Sequence, residues 1–224
     1  MIQTKKDSKK NKAGIYERFF KRPMDFMLSL LAIILLSPLL IITAILVRIK
    51  MGSPVIYKQK RPGLNEKIFT IYKFRTMTDK KDSEGNLLPD GERLTSFGRF
   101  IRSTSLDELP ELFNILNGDM SIIGPRPLAI QYLPYYTQAE RIRHSVRPGL
   151  SGLAQVKGRN IITWEERFRY DIYYVKNISF YLDFIIIVKS ILAAFRRADV
   201  GERGVDTPMD FDMYRKNEIE KSGV

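Results

Sequence analysis

The most chemically suggestive stretch of the chain is Ser103-Thr104-Ser105-Leu106-Asp107-Glu108-Leu109-Pro110-Glu111-Leu112-Phe113-Asn114, where two acids stand side by side ahead of an apolar run. In such a pair one carboxylate can act as nucleophile while its neighbour holds a divalent cation, the division of labour that phosphoryl transfer asks for. A structural reading is equally available. Ser105 and Glu108 stand in capping-box spacing, acids near a helix start interact well with its dipole, and Arg102 could pair with either acid. On this segment alone both readings stay open.

The second constellation is built from arginines. Four prolines follow an arginine, as Arg22-Pro23, Arg61-Pro62, Arg126-Pro127 and Arg147-Pro148, where random placement would give about one. A residue before proline is pushed to extended geometry, which fixes the backbone from which the guanidinium projects. Guanidinium forks bind phosphate oxygens bidentately. Single pairs of this kind read as ordinary turns, but Arg126 and Arg147 each lie beside a glycine-containing turn and are the strongest candidates. An anionic carboxylate approaching a phosphorus with negative oxygens meets repulsion of several kcal/mol at about 4 Å and intermediate dielectric. Arginines and a Mg²⁺ held by the second acid would cancel it.

Other chemistries are excluded. The chain has no cysteine and a single histidine, His144, so zinc sites and thiol nucleophiles are ruled out, and a serine–histidine relay would depend on that one imidazole. Glycine-rich nucleotide-binding loops and a Gly-x-Ser-x-Gly elbow are missing. Asp210-Phe211-Asp212 has the spacing with which sugar-nucleotide enzymes hold a divalent ion, but it falls in a polar tail.

Charge and hydropathy indicate what must position the acids. The 224 residues carry a formal net charge of +12. The excess sits on either side of Phe26 to Val47, an uncharged apolar stretch, with Lys5, Lys6, Lys9, Lys10, Lys12, Arg18, Lys21 and Arg22 before it and Arg48, Lys50, Lys58, Lys60 and Arg61 after it. A nucleic-acid binder would spread its cations over the folded domain, so nucleic acid is not an expected partner. The stretch is long enough to span hydrocarbon roughly 30 Å thick, and a cleaved signal peptide does not fit its length or its charged end. Crossing would put one basic cluster on the unfavoured side. At its midpoint lies Ser37-Pro38, where proline deletes a helical hydrogen bond unless a nearby hydroxyl and a kink absorb the loss. A re-entrant helix, broken at Ser37-Pro38 and returning to the face it entered, satisfies both facts.

Beyond it the period becomes two, from Val55 to Phe74, and predicts a β-hairpin around a Pro62-Gly63 turn. Asp79 to Glu92 is polar and predicts a surface loop, and Leu106 to Leu116 predicts the helix that carries the chemistry. Gln138 to Val146 and Trp164 to Val175 have helical spacing, and Phe180 to Phe195 suits an interfacial or core helix. The expected fold class is α+β and mostly helical: the N-terminal membrane helix, a small hairpin, and a helical catalytic domain with interfacial amphipathic helices.

In order along the chain stand Lys21-Arg22-Pro23-Met24-Asp25-Phe26, Ser37-Pro38, Gln59-Lys60-Arg61-Pro62-Gly63, Tyr72-Lys73-Phe74-Arg75-Thr76-Met77, Ser105-Leu106-Asp107-Glu108-Leu109-Pro110, Gly118-Asp119-Met120-Ser121, Gly124-Pro125-Arg126-Pro127, Arg147-Pro148-Gly149-Leu150-Ser151-Gly152 and Tyr173-Tyr174-Val175-Lys176-Asn177. This ordered set resembles the monotopic phosphoglycosyl transferases, or bacterial sugar transferases, in particular the small single-domain members such as diacetylbacillosamine phosphotransferases. The resemblance implies transfer of sugar 1-phosphate from a UDP-sugar to a polyprenyl phosphate, usually undecaprenyl phosphate, with release of UMP, as the first membrane step of glycoconjugate assembly. It also implies a covalent phosphosugar ester on Asp107, Mg²⁺ coordinated by Glu108, and Arg102, Arg126, Arg147 and Lys73 as phosphate-binding groups. Its re-entrant helix maps onto Ser37 and Pro38.

The organisation so implied is a flexible basic tail over 1–13, a re-entrant membrane helix over 14–50, the catalytic domain over 51–198 and a flexible tail over 199–224. The protein would sit on the bacterial inner membrane in contact with lipid, with the domain and both termini on the cytoplasmic face. Which sugar is used and whether the chain forms a homodimer are left open. Two other functions compete: a membrane-attached scaffold whose basic flanks hold anionic lipid, and a glycosyl transferase that would release UDP.

Overall fold

The computed structural model describes residues 12–158, 162–196 and 209–222. Most of the basic tail and residues 199–208 lie outside the described residues. A helix runs from Tyr16 to Met51, with an 18-residue window of mean hydropathy 3.0; its α-helical part, α1, spans Lys21–Met51. The expected break at Ser37-Pro38 is not seen, because α1 continues through Pro38. Pro38 lacks the N–H that would bond the Ile34 carbonyl, and the Ser37 hydroxyl donates to that same carbonyl at 2.8 Å. The hydroxyl thus restores the hydrogen bond the ring removes, as apolar surroundings demand.

One side of α1 is docked along its whole length. Its polar N-terminal turns are held by charge: Lys21 Nζ lies 2.6 Å from Asp183 Oδ2, and Asp25 accepts hydrogen bonds from the Ser121 hydroxyl and the Ile122 N–H. Farther on, Leu40 and Val47 pack with Phe74 and Ile101. Both ends of the helix therefore touch the same folded unit. The opposite face presents Leu31, Ile34, Leu35, Ile41, Ile42, Ile45 and Ile49, each at least half exposed. Leaving that much contiguous apolar surface in water is unfavourable by about 25 cal/mol per Å².

The hairpin forms as its alternation predicts, β1 (Ile56–Pro62) pairing antiparallel with β2 (Ile68–Phe74). The turn between them closes where the Gly63 N–H donates to the Lys67 carbonyl at 2.9 Å. The polar segment after it is largely exposed and holds only the short α2 (Asp90–Arg93). Next comes α3 (Ser96–Ser103). Residues 106–116 are not one helix but a 3₁₀ turn, Leu106–Glu108, followed by α4 (Glu111–Asn117). Pro110 separates them, since it has no N–H to continue the first turn and its fixed φ suits a helix start.

After α4, the strands β3 (Ser121–Ile123) and β4 (Gly149–Ser151) pair in parallel. The glycines of the two arginine turns have their explanation here. A Cβ on Gly149 would lie 2.1 Å from the Gly124 nitrogen, so the two turns approach too closely for any side chain. Between the strands, residues 140–145 form a 3₁₀ turn, Glu140–Ser145, and not the expected α-helix. The segment ends at Val146, whose backbone is already extended (φ −133°, ψ 165°) ahead of Arg147-Pro148. The chain continues through α5 (Leu153–Gly158), α6 (Trp164–Lys176) and α7 (Phe180–Arg196). A capping box between Thr163 and Glu166 starts α6. In α7, Asp183 points into the domain, where it receives Lys21, Tyr16 and Tyr174, while Phe180, Phe184, Val188 and Ile191 stay exposed on another side.

The C-terminal segment is not a loose tail throughout. Residues Phe211–Ser222 form α8, which no apolar periodicity announces. Its apolar anchor is Phe211, fully buried among Tyr132, Tyr136, Trp164 and Phe168.

Candidate active site

The two acids sit on the 3₁₀ turn between α3 and α4. Ser105 just before them adopts a left-handed conformation, φ 58°, and makes no side-chain capping bond. The capping-box reading therefore fails, and the chain holds a non-glycine residue in a conformation that costs about 1–3 kcal/mol. The turn buries both acids, with Asp107 6% and Glu108 7% exposed.

Two cations from distant segments converge on Glu108. Its Oε1 lies 2.9 Å from Lys73 Nζ on β2 and 2.7 Å from Arg126 Nη2 in the turn after β3. Lys73 is shared with a third acid, Glu111 on α4, at 3.0 Å. The registration of β2 against α4 comes from Asn114, fully buried, which acts as a surrogate strand: its side chain accepts from the Tyr72 N–H at 3.1 Å and donates to the Thr70 carbonyl at 2.7 Å. Lys73 follows directly on that strand, so the amide aligns it with the acids.

The electrostatics follow from this geometry. Glu108, outweighing burial and assisted by Glu111 and Asp107, holds the Arg126 guanidinium well above its ordinary value. Burial pushes Glu111 up to about 7 against the opposing pull of Lys73, and Glu108 adds to the rise. Burial and then the charge of Arg126 lower Arg61, which brings another arginine of the Arg-Pro set within electrostatic range. Asp107, Glu108 and Glu111 thus share one cluster with Lys73, Arg126 and, at longer range, Arg61.

Of the groups singled out from sequence, Asp107, Glu108, Lys73 and Arg126 come together. Arg102, on α3, donates from Nε to Thr76 Oγ1 at 2.9 Å, three residues beyond Lys73. Arg147 is separated from the cluster. Its Nε donates to the Gly118 carbonyl at 2.8 Å, just past the C-terminal end of α4, where Arg22 also caps the carbonyls of Ile115 and Leu116. Cations at that end complement the helix dipole, so the geometry gives Arg147 a capping contact one helix length from the acids. Asp210 is likewise engaged structurally, accepting from the Tyr132 hydroxyl at 2.8 Å.

Mg²⁺ usually takes only one or two protein carboxylates and completes its shell with phosphate oxygens and water. Asp107 and Glu108, neighbours on one turn, are donors of that kind, so the residues fit. Among the described residues no group of three or more His, Asp or Glu side chains is arranged to hold a metal by itself.

A family model described as bacterial sugar transferase matches residues 16–197, which include every element from α1 to α7. The chain belongs to the bacterial sugar transferase family. This transferase is 52% identical over 171 residues to the uncharacterized sugar transferase EpsL of Bacillus subtilis, covering 76% of this chain and 85% of that protein. It is 39% identical to the UDP-glucose:undecaprenyl-phosphate glucose-1-phosphate transferase of Klebsiella pneumoniae, over 79% of this chain and 40% of the other. It is 40% identical to the UDP-N-acetylgalactosamine-undecaprenyl-phosphate N-acetylgalactosaminephosphotransferase of Aeromonas hydrophila, over 77% and 43% respectively. The transferase thus spans less than half the length of the last two.

Three residues escaped the sequence reading. Glu111 stands four positions after Asp107, the spacing that returns a helix to the same face, and that was the available signal. Arg143 and Asp171 gave none, being 28 residues apart, yet they form a buried pair at 2.9 Å. The one histidine of the transferase is buried beside them. Burial, with Arg143 and Arg141, pushes His144 down to about 3. Its folded value lies below the unfolded one, so its contribution to stability is present above pH 6.5 and drains away as pH falls toward 3, when the unfolded chain takes up a proton the folded one refuses. By pH 5 that loss is about 2 kcal/mol. Because Glu111, raised by burial, contributes in the opposite direction over the same range, the measurement is the difference between proteins: from pH 7 to pH 5 the wild type should lose about 2 kcal/mol more than His144→Asn in chemical denaturation, and equal changes in the two proteins would refute it.

Proposed function

We propose that this transferase moves a sugar 1-phosphate from a UDP-sugar to a polyprenyl phosphate, of which undecaprenyl phosphate is the type, and releases UMP. The observation that carries the reading is the convergence of Lys73 and Arg126 on Glu108 beside Asp107, next to a long helix with an uncovered apolar face. The names of the Klebsiella and Aeromonas relatives, which specify undecaprenyl phosphate as acceptor, support it.

In the proposed course an Asp107 oxygen attacks the phosphorus that bears the sugar. The bond from that phosphorus to the bridging oxygen breaks, and UMP leaves with that oxygen. The polyprenyl phosphate then attacks the same phosphorus through one of its oxygens, the Asp107–phosphorus ester breaks, and the carboxylate is restored. Arg126 and Lys73 offset the charge that would otherwise repel the incoming anion, with Arg102 near the same cluster. Glu108, with Asp107 adjacent, would hold Mg²⁺, which supplies charge neutralisation at the phosphates when bound.

The seating of the protein follows from α1. Its two ends contact one folded unit, so a helix that crossed the bilayer would have to carry part of that unit through it. Monotopic seating, in which α1 enters and remains on one face, leaves the exposed rows of α1 and α7 in lipid and both basic flanks on the same side. The positive-inside rule puts that side in the cytoplasm, which for a bacterium is the inner face of the cytoplasmic membrane.

The test uses purified protein in detergent or nanodiscs with a panel of UDP-sugars. With the correct donor and no lipid acceptor, one UMP per active site is expected in a rapid burst, and turnover begins when polyprenyl phosphate is added. UMP only after acceptor addition would point to direct transfer. UDP in its place would identify a glycosyl transferase, and no nucleotide with any donor would leave the scaffold.

A further inference from the structure

The helix α8 lies beyond the stretch that matches the family model, and its contacts lead to the proposed active site. We infer that α8 is a positioning latch for Arg126, acting through Phe211, Tyr136 and Arg143; the inference rests on the function proposed above. Phe211 is fully buried, with its ring stacked on Tyr136 at 5.3 Å and edge-on to Phe168 at 5.0 Å. Polar contacts on either side fix α8: the Trp164 indole N–H donates to the Met209 carbonyl at 2.9 Å, and Arg215 pairs with Glu140 at 2.6 Å. Tyr214 adds a hydrogen bond to Glu165.

The path inward is continuous. Arg143 lies over the rings of Tyr136 and Phe168, at 5.7 and 5.8 Å from their centroids. Its guanidinium is held by Asp171 at 2.9 and 3.0 Å, and from Nη2 it also donates to the backbone carbonyl of Arg126 at 2.7 Å. Arg126 in turn reaches Glu108. The same ring cluster thus supports the backbone and, through it, the direction of the guanidinium that meets the substrate. Packed aromatic contacts and a buried ion pair have few alternative arrangements, so loosening one end of this chain is felt at the other.

The sequence contains a single tryptophan, and Trp164 lies 5.2 Å from the Phe211 ring, so its emission reports the docking of α8 directly. The experiment uses full-length Phe211→Ala and Arg215→Glu, the second keeping the core filled while opposing Glu140 with like charge. Both are expected to shift Trp164 emission to the red, to speed amide exchange in residues 124–136, and to slow UMP release about tenfold. In an Arg126→Lys background the loss of rate should shrink to less than twofold, because coupled residues do not add. Phe211→Leu should recover most of the rate.

Shifted emission with unchanged exchange at residues 124–136, or an undiminished tenfold loss in the Arg126→Lys background, would overturn the latch. If the wild type releases no UMP, the functional reading falls, and the exchange measurement alone still decides whether α8 holds Arg126.

Discussion

Asp107→Asn is expected to abolish product formation, with UMP release falling by about 10³-fold or more while the protein folds as before. Asparagine has nearly the same volume and fits the same 3₁₀ turn, where the side chain is largely buried. What it lacks is the anionic oxygen that forms the ester, and a nucleophile has no substitute within a covalent route. Folding should be spared for an electrostatic reason. Lys73 and Arg126 are paired with Glu108, so the cluster retains its central acid when Asp107 is neutralised. Rate and melting temperature measured on one preparation make the comparison. UMP release at the wild-type rate in this variant would remove the covalent ester from the mechanism, whatever the reaction class proves to be.

Asp171→Ala is expected to produce the largest loss of stability, about 3–5 kcal/mol, or a fall in melting temperature of roughly 10 °C for a domain of this size. Asp171 and Arg143 are each 2% exposed. Truncating the acid leaves a guanidinium surrounded by the rings of Tyr136 and Phe168 with its main counter-charge removed. The cost is that of an uncompensated buried charge and not the worth of the pair, so Asp171→Ala combined with Arg143→Met should recover much of it. A double variant as unstable as Asp171→Ala alone would refute this account. Because Arg143 also holds the Arg126 carbonyl, the single variant should be less active at temperatures where it remains folded.

What the sequence determined by itself is what depends on neighbours a few residues away. The alternation from Val55 to Phe74 yields the hairpin, the uncharged run before it yields α1, and the acids of the Asp107-Glu108 pair are adjacent by covalent connection. Even the accommodation of Pro38 was local, since Ser37 and Ile34 share one turn. The ordered motifs also carried the family, which the match over residues 16–197 bears out.

The tertiary structure decided which charges meet. Four Arg-Pro pairs look alike in sequence, yet Arg126 reaches Glu108 while Arg22 and Arg147 cap the far end of α4. Proline did not even hold the four arginines in one backbone geometry, since Arg22 is helical within α1 and Arg61 lies in β1, and the surface that Arg126 and Arg147 face is set by how β3, β4 and α4 pack. Lys73 and Glu108 are 35 residues apart, Arg143 and Asp171 are 28 apart, and neither pairing leaves a periodic trace. The same holds for α8, a polar helix placed by one phenylalanine whose pocket is lined by residues from the 3₁₀ segment Ile130–Tyr135, from Tyr136 and from α6. Local propensity acts through the backbone within a turn or two, whereas burial and ion pairing act through space, so these contacts exist only once the chain has folded.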